Sequence, residues 1–144
     1  MSQELDRIDR EIIKALREDA RTPFTKIGRT LGVSDATVHV RVNRMRRAGI
    51  IKKYTTIVDE RAVGRGVAGY VLISVKHGRV EEVSKELARM EMVTMIQEIH
   101  GANDILIKIE TGDPESLRNA VMKTQELTSV TASECFIIFK TWKE

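Results

Sequence analysis

Apolar residues recur at helical spacing through the first fifty positions and at strand spacing in much of the remainder. Leu5, Ile8, Ile12 and Leu16 fall at i, i+3, i+7 and i+11, one stripe at the helical period, and predict a helix from about Asp6 to Asp19. Asp6 is suited to cap it, and Asp9 sets a second carboxylate at the positive end of the helix dipole. Thr22-Pro23 predicts a second, short helix with Thr at the N-cap and Pro in the first turn. Ile27 and Leu31 face inward there, Gly28 is small, and Gly32 stops the helix. Ser34 then caps a third helix with Val38, Val42 and Met45 as its buried stripe, and Gly49 ends it where positive φ is easily adopted.

Beyond Gly49 the period changes. Ile50 to Val58 alternates apolar and polar residues and reads as an extended basic strand carrying Lys52, Lys53 and Thr55. Gly64 and Gly66 punctuate the chain. Strands follow at Val67–Lys76, Thr94–His100, Asp104–Thr111 and Val130–Lys140. One helix carries Val80, Val83, Leu87 and Met90, and another starts at Asp113-Pro114 and carries Leu117, Val121 and Leu127. The order βαββαβ is that of a ferredoxin-like split βαβ, with helices on one sheet face. The other face would carry Tyr70, Leu72, Leu106, Phe136 and Ile138, too much bare apolar surface for a monomer. A two-fold dimer, sheet against sheet, covers it. The expected fold class is therefore α+β, with residues 1–50 as a helix-turn-helix domain, 51–65 as basic strand and linker, and 66–144 as a ferredoxin-like domain for dimerisation.

Charge sharpens the reading of the first half. Net charge is only +3 over 144 residues, yet residues 1–64 hold fourteen Lys and Arg against nine Asp and Glu. From Ala36 to Val58 there is no acid at all, against Arg41, Arg44, Arg46, Arg47, Lys52 and Lys53. Such a field attracts polyanions. The joint Leu31-Gly32-Val33-Ser34 supplies the matching architecture: a short helix, a tight turn and a capped longer helix that can enter a major groove. Candidate DNA-binding residues are Ser34, Asp35, Ala36, Thr37, His39, Val40, Arg41, Arg44, Arg47 and Lys52. Those near the start of the third helix are placed for bases and the later arginines for phosphates. Arg41 can reach guanine, Val40 or Ala36 a thymine methyl, and Asp35 is better placed to support the cap.

Other chemistry finds little support. His39, His77 and His100 stand on separate elements without metal-ligand spacing, and Cys135 in an apolar strand reads as a buried hydrophobe. Gly64-Arg65-Gly66-Val67-Ala68-Gly69 spells a dinucleotide fingerprint, but it precedes a strand where that motif must follow one. No enzyme, no metal and no cofactor are expected. No apolar run spans a membrane and the start MSQELDRIDREI carries no signal-peptide core, so a cytoplasmic protein is expected.

The series Leu5-Asp6, Asp9, Ile12, Leu16, Asp19, Arg21, then Ile27-Gly28, Leu31-Gly32-Val33-Ser34, then Thr37-Val38, Arg41-Val42, Met45, Gly49-Ile50-Ile51 and Tyr54 resembles the leucine-responsive regulatory protein family, also called Lrp/AsnC. These are bacterial and archaeal feast/famine regulators. The sequence departs from the family pattern at Met45, Gly28 and Val40, and Val40 leaves the base preference open. The resemblance implies a winged-type helix-turn-helix joined to an ACT-like domain. It also implies a sequence-specific transcription regulator of duplex DNA, modulated by an amino-acid-type effector. Gly101, Ala102, Asn103 and Asp104 match the family's Gly-x-x-Asp loop, which implies an effector at contacts between dimers. Asp104 would take its ammonium and loop N–H groups its carboxylate. A homodimer, or a higher even oligomer such as an octamer, is implied too. Three alternatives stay open: an architectural DNA protein with little sequence choice, an assembly module without effector, and a regulatory module whose helical trio docks a protein.

Overall fold

The computed structural model describes residues 4–142, so the outermost residues of the two expected domains, 1–3 and 143–144, lie outside it. Two compact units divide the chain between Ile57 and Val58. The first holds α1 (Arg7–Glu18), α2 (Phe24–Leu31) and α3 (Asp35–Arg47). The second holds β1 (Val67–Val75), α4 (Val80–Leu87), β2 (Val93–Glu98), β3 (Ile105–Thr111), α5 (Pro114–Gln125) and β4 (Val130–Ile137).

In the first unit Ile12 and Leu16 of α1, Ile27 of α2, and Val38, Val42 and Met45 of α3 close one core. Asp6 caps α1 as expected, and Asp9 turns the cap into a reciprocal box: the Asp9 N–H donates to Asp6 and the Asp6 N–H to Asp9. The second cap differs from expectation. Pro23, not Thr22, occupies the N-cap of α2, and no side chain bonds there. Pro23 keeps a ψ of 137°, outside the helix, so the first helical turn starts one residue later. At its far end α3 closes as a Schellman motif: Gly49 sits at φ 71°, its N–H reaches the Arg46 carbonyl, and Ile50 N–H reaches that of Met45.

In the second unit the sheet order is β2-β3-β1-β4 with every neighbour antiparallel, the ferredoxin-like arrangement. Val71 and Ile73 of β1 and Ile105, Ile107 and Ile109 of β3 bury their side chains with Val83, Leu87, Leu117 and Ala120 of α4 and α5. Asp113 caps α5 through the Ser116 N–H at 2.8 Å, with Pro114 in the first turn. The G-x-G-x-x-G run forms the turn before β1 and its first residues, with Gly64 at φ 80°.

The strand expected over Ile50–Val58 does not form. Residues 52–59 pair with no strand among the described residues, and a turn follows at 60–64. Alternation makes a segment ready for a ladder, but a strand exists only where a neighbour accepts its hydrogen bonds. Among the described residues no helix is long and apolar enough to cross a membrane.

Candidate functional site

The turn between α2 and α3 is built around two glycines. Gly32 takes φ 69°, and the Val33 N–H returns to the Gly28 carbonyl at 3.0 Å. A Cβ on Gly28 would lie 2.7 Å from the Val33 carbonyl oxygen, so the turn packs directly on α2 there. Ser34 then accepts the Thr37 N–H at 3.1 Å and its hydroxyl lies 2.8 Å from that of Thr37. Asp35 accepts the Ala36 N–H at 2.9 Å, which ties its carboxylate to the helix start. These three groups serve the cap.

With Val38, Val42 and Met45 turned inward, the 100° step of the helix sets Ala36, Val40, Asn43 and Arg47 along the opposite side. Val40 is 67% exposed, and Ala36 and Arg47 are exposed as well. Asn43 was missed by the sequence reading, although its i+7 spacing from Ala36 was visible. Its amide meets His39 Nδ1 at 3.0 Å, while the His39 ring packs edge-on to Phe24 with centroids 5.7 Å apart. His39 therefore leans toward α2. Lys52 is exposed in the segment without regular structure.

Arg41 and Arg44 lie differently from the other candidates. Arg41 Nη1 donates to Asp6 at 2.6 Å and to Asp9 at 3.0 Å, and Arg44 Nη2 donates to the other Asp9 oxygen. The Asp9 side chain is 1% exposed, that of Arg41 22% and that of Arg44 41%. A buried carboxylate must be paired, and here it draws two guanidinium groups of α3 toward the start of α1. The Asp9 backbone N–H, followed by Arg41, holds the Asp6 carboxyl at a pKa of about 2. Hydrogen bonds to Asp6 and Asp9 raise that of Arg41. A shallow concavity of about 430 Å³ lies beside it, lined by Ala36, Thr37, Val40, Arg41 and Arg44.

In the second unit the loop between β2 and β3 is tied to the end of β1. Asp104 accepts the Val75 N–H at 2.8 Å through Oδ2 and its own N–H donates to the Ile73 carbonyl. Asn103 accepts from the Ser74 hydroxyl at 3.1 Å. One expectation changes here. Asp104 holds the strand as well as facing the loop. Gly101 meets nothing within 4 Å of where a Cβ would stand and lies outside the left-handed region, so nothing in its own chain requires a glycine. Ala102 is exposed beside it.

On the sheet face away from the helices, register places Tyr70 beside Lys108 and Phe136, and Leu72 beside Leu106. Tyr70 is 37% and Phe136 47% exposed, while Leu72, Leu106 and Ile138 are half-buried. Lys108, opposite Tyr70, pairs with Glu110 at 2.6 Å. Burial alone would raise the Glu110 carboxyl, but hydrogen bonds from Lys108 and Thr94 outweigh it and hold the pKa below its ordinary value. Cys135, expected to be buried, is exposed: it stands on β4, the last strand of the sheet, which has a neighbour on one side only.

The family model of the AsnC-type helix-turn-helix domain matches residues 5–46, and that of the Lrp/AsnC ligand binding domain matches residues 68–144. The HTH-type transcriptional regulator FL11 of Pyrococcus horikoshii is 34% identical over 140 residues, 97% of this chain and 93% of that protein. The regulatory protein AsnC of Haemophilus influenzae is 33% identical over 135 residues, 92% of this chain and 90% of that protein. Among solved structures, E. coli AsnC has a TM-score of 0.89 at 27% identity, covering 99% of this chain and 97% of that one.

Proposed function

The chain belongs to the Lrp/AsnC family of DNA-binding transcription regulators, and we propose that it reads duplex DNA through the outward strip of α3 as a homodimer modulated by an amino-acid-type effector. The observation that carries this reading is the strip itself. Ala36, Val40, Asn43 and Arg47 stand on the outer side of a helix capped at both ends, inside a stretch without acids. A rigid, cationic helix of three to four turns fits a major groove. Arg47 and Lys52 are assigned to phosphates, with Arg44 contributing through what its carboxylate partner leaves exposed.

The uncovered sheet face with Tyr70, Leu72, Leu106, Phe136 and Ile138 supports assembly, since a second copy supplies a matching face by two-fold symmetry. Dimers can pair further into an even oligomer such as an octamer. Free space at Gly101 supports a ligand approaching the Gly101–Asp104 loop from outside the chain. The second Asp104 oxygen is left for its ammonium and backbone N–H groups for its carboxylate. No reaction is assigned to the chain, and the cytoplasm is the proposed setting.

Selection from random duplexes, with and without the twenty amino acids, tests the reading in wild type and Gly101→Val. Wild type should enrich half-sites about 34–36 Å apart, or a multiple of that spacing, and at least one amino acid should change the yield. Gly101→Val should bind the same sites and ignore the amino acid. Flat selection would favour an architectural protein, and enrichment blind to every amino acid would leave the second unit as an assembly device.

A further inference from the structure

The centre of the outward strip of α3 is apolar, which is unusual for a surface that meets a polyanion. Val40 keeps 67% of its surface in water. A β-branched residue has no helix-forming advantage there, and an exposed apolar group adds no stability to the fold. It stands with Ala36 in the concavity walled by Thr37, Arg41 and Arg44. The two arginines beside it are turned away: Arg41 reaches Asp6 at 2.6 Å and Asp9 at 3.0 Å, and Arg44 reaches Asp9. Reading guanine needs a guanidinium free to present two donors to one base edge. Asp6 and Asp9 already take part of that capacity, and they fix the direction in which both side chains extend.

We propose that the middle of α3 recognises thymine through its C5-methyl group, with Val40 and Ala36 as the specificity-determining contacts and Asp6 and Asp9 holding Arg41 and Arg44 off the bases. The inference rests on the reading of α3 as the DNA-contacting helix. In the major groove the thymine methyl is the apolar feature that separates A·T and T·A from G·C and C·G. Two small aliphatic side chains, four residues apart on one helix face, suit one or two such methyls in each half-site. Asn43 and Arg47 complete the strip with polar contacts.

The test uses the intact protein and a duplex recovered by selection, with each thymine replaced in turn by deoxyuridine, which pairs identically and lacks only the methyl. At one or two positions per half-site, specific affinity should fall about fourfold, the worth of one buried methyl group. Affinity for unrelated duplex should not change. Val40→Ala should bind the thymine duplex about as weakly as wild type binds the uracil duplex, and should no longer distinguish the two. Val40→Thr, which keeps the shape and exchanges one methyl for a hydroxyl, checks that the loss is apolar contact; helical circular dichroism confirms that both variants fold. Uracil tolerated everywhere within 1.5-fold, or a uracil penalty undiminished in Val40→Ala, would overturn the inference while DNA recognition stands. Failure of the wild type to bind any duplex would overturn the DNA reading itself and this inference with it.

Discussion

The two units use charge and apolar surface in opposite senses. In the first, the charged cluster is turned inward: buried Asp9 gathers Arg41 and Arg44, and with Asp6 it locks α3 to α1. The outward strip of the same helix exposes Val40. In the second, Lys108 stands beside Tyr70 and pairs with Glu110, while Tyr70 and Phe136 remain exposed on the same sheet face. Composition suggests that basic residues of the first unit meet DNA and that apolar residues of the second make its core. Each statement holds for only part of the residues concerned. A charge can be a device for orienting a helix, and an apolar side chain can be the part of a surface that carries recognition or assembly.

The largest expected effect breaks the second half of that comparison. Phe136→Asp puts a carboxylate on the proposed dimer face, and two-fold symmetry makes every such change count twice. An uncompensated buried charge costs about 3–5 kcal/mol, so light scattering at micromolar protein should give monomers. Phe136 is 47% exposed in the single chain, so the circular dichroism spectrum should persist. A dimer of unchanged mass would remove this face from the interface.

Next in size is Asp9→Ala, which tests whether the inward charge cluster belongs to the fold. It deletes a carboxylate whose side chain is 1% exposed, with two arginine partners and half of a capping box. Breaking a buried pair is strongly destabilising; because Arg44 keeps 41% of its side chain in water, about 3 kcal/mol is expected. Amide hydrogen exchange should quicken through α1, α2 and α3 while β1 and β3 keep their protection. Equal loss in both units would mean that the cluster does not act locally.

What the sequence made legible is what depends on neighbours along the chain. The stripe Val38, Val42, Met45 and the Ser34 cap require only a few consecutive residues, and both stand in the structure. The βαββαβ order follows from alternation and turn residues in the same way. What it hid depends on distant partners. Arg41 looked like a base reader because Asp6 and Asp9 lie 35 and 32 residues away, beyond any local period. Asp104 looked free because its partner Val75 lies 29 residues back. The segment 52–59 alternated like a strand, yet pairing needs a neighbour that alternation cannot supply.

The smallest effect sharpens the account of the inward cluster by separating its exposed member from its buried one. The Asp6 side chain is 51% exposed and its pKa is lowered from 3.8 to about 2, first by the Asp9 backbone N–H and then by Arg41. A carboxylate whose pKa is lower in the folded state contributes stability that is present above its unfolded pKa and lost as pH falls through the folded value. For Asp6 that window runs from about pH 4 down to about pH 2. Asp6→Asn keeps a good N-cap, because Asn caps as well as Asp, and removes the charge. The difference in urea midpoint between wild type and Asp6→Asn should therefore be constant above pH 4 and close toward pH 2. It should also shrink in high salt, since an exposed pair is screened. A difference that stays flat across this window would show that Asp6 binds its proton with ordinary affinity. Asp9 alone would then orient Arg41.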